Sequence, residues 1–275
     1  MRRMHGMIAA GMAALLALPA GAQGTLAGRI AAIRDGELQF EFASREDACG
    51  DGRSYIRVGD SFIRAGDASI TGDWLDDRRE TCLPGPVRIV IRKEAGEVVS
   101  LSDYLGPVFT IAGRTELGEV SPAEGAAYLL SLAEGLERTR VSKRAIYPAM
   151  LGRDVVAWPT LLRIARRGER TGTKSDVKFW LGRYAAAKLQ GSDDPFSVER
   201  RADTDEEDVK KHAVFALSQL GGREGIDPLL QVARTNKDPV VRAQALFWLG
   251  QSGDPRALDL FADILEGRVA PPPRG

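Results

Sequence analysis

The sequence predicts an α+β protein: a small antiparallel β-rich domain carrying one disulfide, followed by a short all-α solenoid. Three observations predict it. Residues 239–265, PVVRAQALFWLGQSGDPRALDLFADIL, read as two short helices around a tight turn, and weaker copies precede them. Stretches within residues 36–101, Leu38 to Phe42 and Val87 to Ile91 foremost, instead alternate apolar and polar side chains with a period of two, which is strand patterning. Cys49 and Cys82, the only cysteines, both fall in that earlier part.

The 275-residue chain opens with Arg2 and Arg3, an apolar run from Met7 to Leu18, and the small-x-small signal Ala20-Gly21-Ala22. Residues 1–22 therefore read as a secretory signal peptide, with Gln23 as the first mature residue. The run is shorter than the ~20 residues of a membrane span, and no later stretch is apolar enough for one. The expected setting is periplasmic or extracellular. Over the whole chain 38 basic residues balance 38 acidic ones, and losing Arg2 and Arg3 leaves a small acidic excess. Such a balance gives no electrostatic footprint for nucleic acid. Two cysteines in an exported chain most simply form one disulfide, here between residues 33 apart. In the chain-entropy model that loop is worth roughly 3.5 kcal/mol.

Residues 23–117 form the expected β-rich domain. Leu26, Ile30 and Ile33 suit a short amphipathic helix, and Asp35-Gly36 a turn. Leu38, Phe40 and Phe42 alternate with Glu37, Gln39 and Glu41, which is a half-buried strand. Tyr55 to Val58 suits another. Val87, Ile89 and Ile91 make a third, and Ala95-Gly96 turns the chain back into Val98 to Leu101 as a hairpin. The first long helix is expected at Ser121-Pro122, with Glu124 in its first turn.

Residues 118–268 form the expected solenoid, and 269–275, ending in APPPRG, a disordered tail. The helical copies are centred on Tyr147, Phe179, Phe215 and Phe247, at spacings of 32, 36 and 32. Fourteen residues after Tyr147, Phe215 and Phe247 come Leu161, Leu229 and Phe261, equivalent core positions of the second helices. The rule fails after Phe179, where it lands on Asp193. The second copy therefore has a degraded or truncated second helix, residues 191–208 read as an irregular acidic loop, and a gap or an opening is expected there. Asp238-Pro239 and Asp254-Pro255 place a capping side chain before a proline suited to the first turn. Ala213 and Ala245 match, as small residues that let neighbouring helices approach.

VRAQALFWLGQSGDPRALDLFADIL resembles a HEAT repeat, of the short kind found in phycobilisome-lyase-type HEAT proteins. The likeness rests on the Asp-Pro start, Val241-Arg242, Ala245, Leu249-Gly250 and the turn at 253–255, and Lys210-Lys211-His212-Ala213 to Leu220-Gly221 is similar. It implies stacked helical hairpins that hold other proteins. It implies no catalytic residue, cofactor or pigment site.

Chemistry is sparse. With His5 in the leader, His212 is the only mature imidazole, so no Ser-His-Asp or Cys-His set can form. Asp73, Asp76, Asp77 and Glu80 surround Trp74. They read as a solvated loop beside Cys82, or alternatively as a carboxylate site of an enzyme or its accessory subunit. The acidic run Asp203 to Asp208 suits a helix start. The aromatic residues Phe179, Trp180, Phe215, Phe247 and Trp248 suit the seam between stacked helices, with Trp180 and Trp248 partly exposed. The β domain as a small-ligand or cell-surface binder is a further alternative.

In HEAT arrays the second helices commonly line the concave face. The polar positions aligned there are Arg163, Gln231 and Asp263, then Arg166, Arg234 and Glu266. The expectation is a non-catalytic, exported scaffold with an unidentified protein partner, no cofactor, no nucleic acid and no membrane span after cleavage. Its binding face runs from basic in the earlier repeats to acidic in the last.

Overall fold

The computed structural model describes residues 24–59, 61–64, 82–107, 113–135, 139–167, 171–198, 205–220 and 222–269. The leader at 1–22, the acidic loop at 73–80 and the end of the tail lie outside the described residues. Helix α1 (Leu26–Ala31) begins at Thr25, whose hydroxyl accepts from the Gly28 amide, and it buries Leu26 and Ile30, one turn apart.

The strands follow as β1 (Gly36–Phe42), β2 (Ala48–Gly50), β3 (Tyr55–Val58), β4 (Ser61–Arg64), β5 (Val87–Glu94), β6 (Glu97–Leu105) and β7 (Thr115–Glu119). They make two sheets, ordered β6-β5-β1-β7 and β2-β3-β4. The alternation in β1 sets the register: Leu38, Phe40 and Phe42 lie opposite Ile91, Ile89 and Val87, and all six are buried. The sheet is not purely antiparallel, because β7 pairs with β1 in parallel. The chain crosses from β6 to the far edge beside β1 instead of turning straight back beside β6, as a parallel pair requires. The sheets meet where Gly50 and Gly106 pack backbone on backbone. A Cβ on Gly50 would lie 2.2 Å from the Leu105 carbonyl oxygen, and one on Gly106 would lie 2.4 Å from that of Gly50. Cys49 on β2 is disulfide-bonded to Cys82, and Leu83 exchanges both backbone hydrogen bonds with Gly50 at 3.0 Å.

The helices are α2 (Pro122–Gly135), α3 (Thr139–Ala149), α4 (Trp158–Arg167), α5 (Thr171–Leu189), α6 (Asp205–Gln219), α7 (Gly222–Thr235), α8 (Pro239–Gln251) and α9 (Pro255–Leu265). The Ser121 hydroxyl caps α2 through the Glu124 amide. The carboxylates of Asp238 and Asp254 cap α8 and α9 at 2.9 and 2.8 Å. The expected boundary at 117/118 falls inside β7, and one core runs across it. Phe40 meets Tyr128 edge-on with centroids 6.0 Å apart, and Phe42 packs under Gly125.

The helices form two rows, and neither follows chain order. Ring contacts trace the first as α3, α5, α8, α6: Tyr147 to Trp180, Phe179 to Phe247, and Trp248 to Phe215, with centroids 6.1, 6.0 and 5.2 Å apart. Ion pairs trace the second as α2, α4, α9, α7: Glu134 to Arg163, Arg166 to Glu266, and Arg256 to Asp227. A sequential solenoid would place α6 against α5. Here the last hairpin, α8 and α9, stands between the second and third copies.

The missing second helix supplies the reason. Without a neighbour in the vacant slot, the apolar face of α5 would meet water. The fully buried Phe261 of α9 packs there against Gly182, and α8 covers the rest. Helices α5 and α8 run antiparallel at close range. A Cβ on Gly182 would lie 3.0 Å from the Leu246 carbonyl oxygen, and one on Gly250 the same distance from that of Lys178.

The turns after α5 are not an opening either. Phe196 is buried against Tyr147 and Trp180. The Arg45 guanidinium lies 4.4 Å above its ring and donates to Asp194 at 2.9 and 2.6 Å. This latch ties the strand region to the end of α5. Burial opposes the charged Asp194 carboxylate, but hydrogen bonds from Arg45 outweigh it and hold its pKa below the usual carboxylate value.

Candidate protein-binding surface

The second row carries all six positions singled out for binding. Arg163 and Arg166 lie on α4, Gln231 and Arg234 on α7, Asp263 on α9 and Glu266 at its C-cap. Their order differs from expectation. Since α9 stands between α4 and α7, the acidic pair lies between the two basic helices rather than beyond them. Complementary charges thus become neighbours and satisfy one another. Arg163 donates to Glu134 of α2 at 2.5 Å, and Arg166 to Glu266 at 3.4 Å. Arg268 donates to Asp263 at 2.8 Å and also to Glu266.

Gln231 and Arg234 have a different setting. They line an open groove of about 490 Å³ between α7 and α9, with Leu230, Asp227 and Thr235 from α7 and Arg256 and Asp259 from α9. Leu230 is buried, while Gln231, Arg234 and Asp259 are exposed. Arg256 spans the groove's end by binding Asp227, and it donates to Asp254 through Nε and Nη2 at 3.0 Å. Those bonds hold the Asp254 carboxyl below its usual pKa. Arg234 and Asp259 have no ion-pair partner among the described residues. Among the described residues the groove thus offers Leu230 as an apolar floor, with one free cation and one free anion, which suits an extended peptide or a helix edge carrying both charges.

Asp259 and Leu230 were not singled out from sequence. A signal existed: Asp259 follows Asp227 by 32 residues, the repeat spacing. His212 is exposed on α6. Phe179, Trp180, Phe247 and Trp248 are half-buried in the first row, so the seam takes the phenylalanines with the tryptophans, and Phe215 is the most open of the five. Residues 73–80 lie outside the described residues, as do the side chains of 205–208. Among the described residues, no helix is long and apolar enough to cross a membrane.

A family model for HEAT repeats matches residues 197–273, which span the third and fourth copies, so the chain contains HEAT repeats. No curated protein and no solved structure matches the chain.

Proposed function

We propose that this is an exported, non-catalytic scaffold that holds a segment of another protein in the groove between α7 and α9. The carrying observation is the contrast along the second row. Four of the six aligned polar positions already have partners within the chain, whereas Arg234 and Asp259 line the groove without an ion-pair partner among the described residues. HEAT repeats commonly mediate protein–protein interaction, which supports the class of function. The leader-like first 22 residues support export, and the Cys49–Cys82 disulfide suits an oxidising compartment. The phycobilisome-lyase-type likeness is carried into this proposal for the helical architecture alone.

Affinity capture from the native envelope tests the reading, comparing wild type with the double reversal Arg234→Glu/Asp259→Lys and with Arg166→Glu. The double reversal is expected to abolish capture of the same partner that Arg166→Glu retains. Equal capture by all three would overturn the groove as the site. Recovery of the chain with Met1 intact would overturn export, where Gln23 is expected as the first residue.

A further inference from the structure

The outer face of α6 is an unpartnered apolar feature among the described residues. Among the described residues five large apolar side chains are exposed, and three of them, Val209, Phe215 and Leu220, lie on α6 or at its end. Val209, Ala213, Ala216 and Leu220 follow one another at four, three and four residues, so they form a single stripe. All four are exposed, whereas Val214, on the opposite face, is buried in the stack. This stripe is the surface that a sequential array would have pressed against α5. Insertion of the last hairpin has left it open, at the end of the row α3, α5, α8, α6.

We infer that this face pairs with α6 of a second copy of the chain, antiparallel about a two-fold axis. The stripe is self-complementary in that orientation. Val209 meets Leu220 of the second copy, Ala213 meets its Ala216, and the symmetry repeats both contacts, as a closed isologous interface requires. Small residues fall at the centre, where two helices cross most closely, and large ones at the ends. The chain uses the same device internally, where Gly182 and Gly250 bring α5 and α8 together antiparallel.

Charge agrees with this direction. The sequence enters α6 through Asp205-Glu206-Glu207-Asp208, and antiparallel pairing sets that end beside the α6–α7 turn of the other copy. Arg223 stands there, exposed and without an ion-pair partner among the described residues. A parallel pair would bring the two acidic ends together. The face is continuous with the first row, so pairing joins two rows end to end. The α7–α9 groove stays free, so this inference stands apart from the binding reading above. One helix face lies at the small end of specific interfaces, which makes the association concentration-dependent.

Sedimentation and light scattering of the mature chain over a wide concentration range test it. The mass is expected to rise from monomer to dimer. Val209→Asp/Leu220→Asp should stay monomeric at every concentration, with an unchanged circular dichroism spectrum and melting point when dilute. A covalent test needs no disruption: Ala213→Cys mixed with Ala216→Cys should give an oxidised heterodimer in excess of either homodimer. A wild type that stays monomeric throughout, a dimer that survives the double aspartate variant, or the absence of the 213–216 cross-link would each overturn the pairing. So would cross-linking of the Ala213→Cys chain to a different envelope protein in place of a second copy.

Discussion

Helices α6 and α8 are related by 32 residues and share much of their pattern, yet they end in opposite environments. Val209 corresponds to Val241, Ala213 to Ala245, Phe215 to Phe247 and Leu217 to Leu249. Val241 is 8% exposed and Ala245 fully buried, whereas Val209 is 69% exposed and Ala213 lies in water. Helix α8 is gripped by α5, α6 and α7, while α6 closes the row. A repeat motif therefore fixes which face of a helix is apolar, and its place in the stack decides whether that face is covered.

The sharpest way to test the contrast is to put the same charge at the two matching alanines. Ala245→Asp buries a carboxylate without a partner and is expected to cost more than about 3 kcal/mol, enough to unfold a marginal helical stack. Ala213→Asp, measured on dilute monomer, should change stability by no more than about 0.5 kcal/mol. Thermal or denaturant unfolding of the two variants compares them directly. Equal losses would mean that α6 is covered in solution.

A second test breaks the contrast by loosening α8. Gly182→Val forces a branched side chain against the backbone of α8, where even a Cβ would sit 3.0 Å from the Leu246 oxygen. Overpacking of this kind costs about 1–3 kcal/mol. Hydrogen exchange in residues 239–251 should then rise toward the level of α6. Unchanged protection there would show that α8 does not depend on its contact with α5.

The hairpins were legible from sequence because their first helices carry aromatic centres and three of them place a matching core residue fourteen positions on. So were β1, whose alternation is clean, β5, and the first half of β6, reached through the Ala95-Gly96 turn. Strand β7 was not. TELGE has no alternation, four of its five residues are exposed, and its parallel partner lies more than 70 residues away. The spatial order of the hairpins was not read either, since periodicity names a face and not its neighbour. A trace of it is present: Gly182 and Gly250 occupy matching positions in the two helices that touch, and Ser218 stands at that position in α6. The face proposed for binding was half legible for the same reason. Alignment found Gln231 and Arg234, but it could not show that Arg166 and Glu266 would become neighbours and satisfy each other.

The smallest expected effect compares two carboxylates on either side of α8. Asp194 latches α5 to Arg45, and Asp238 ties the start of α8 to Lys210 of α6 at 3.2 Å. In both, burial opposes the charge but is outweighed by hydrogen bonds, from Arg45 in one case and chiefly Lys210 in the other, so each pKa lies below its ordinary 3.8. A carboxyl depressed in the folded state stabilises the fold fully above its unfolded value. That contribution fades as pH falls from about 4 through the folded value. Asp194→Asn and Asp238→Asn keep the acceptors for the Phe196 and Val240 amides but remove the charge. Each should lower stability at neutral pH by about 1 kcal/mol or less, because both pairs are partly open to water. Melting points measured from neutral pH downward should begin to converge with wild type near pH 4 and meet it below the depressed folded value, where the native carboxyl is itself neutral. If Asp238→Asn alone leaves the neutral-pH melting point unchanged, α6 is held by its contacts with α7 and α8 and not by charge. The α6–α8 side would then be the looser half of the stack, as its exposed outer face already implies.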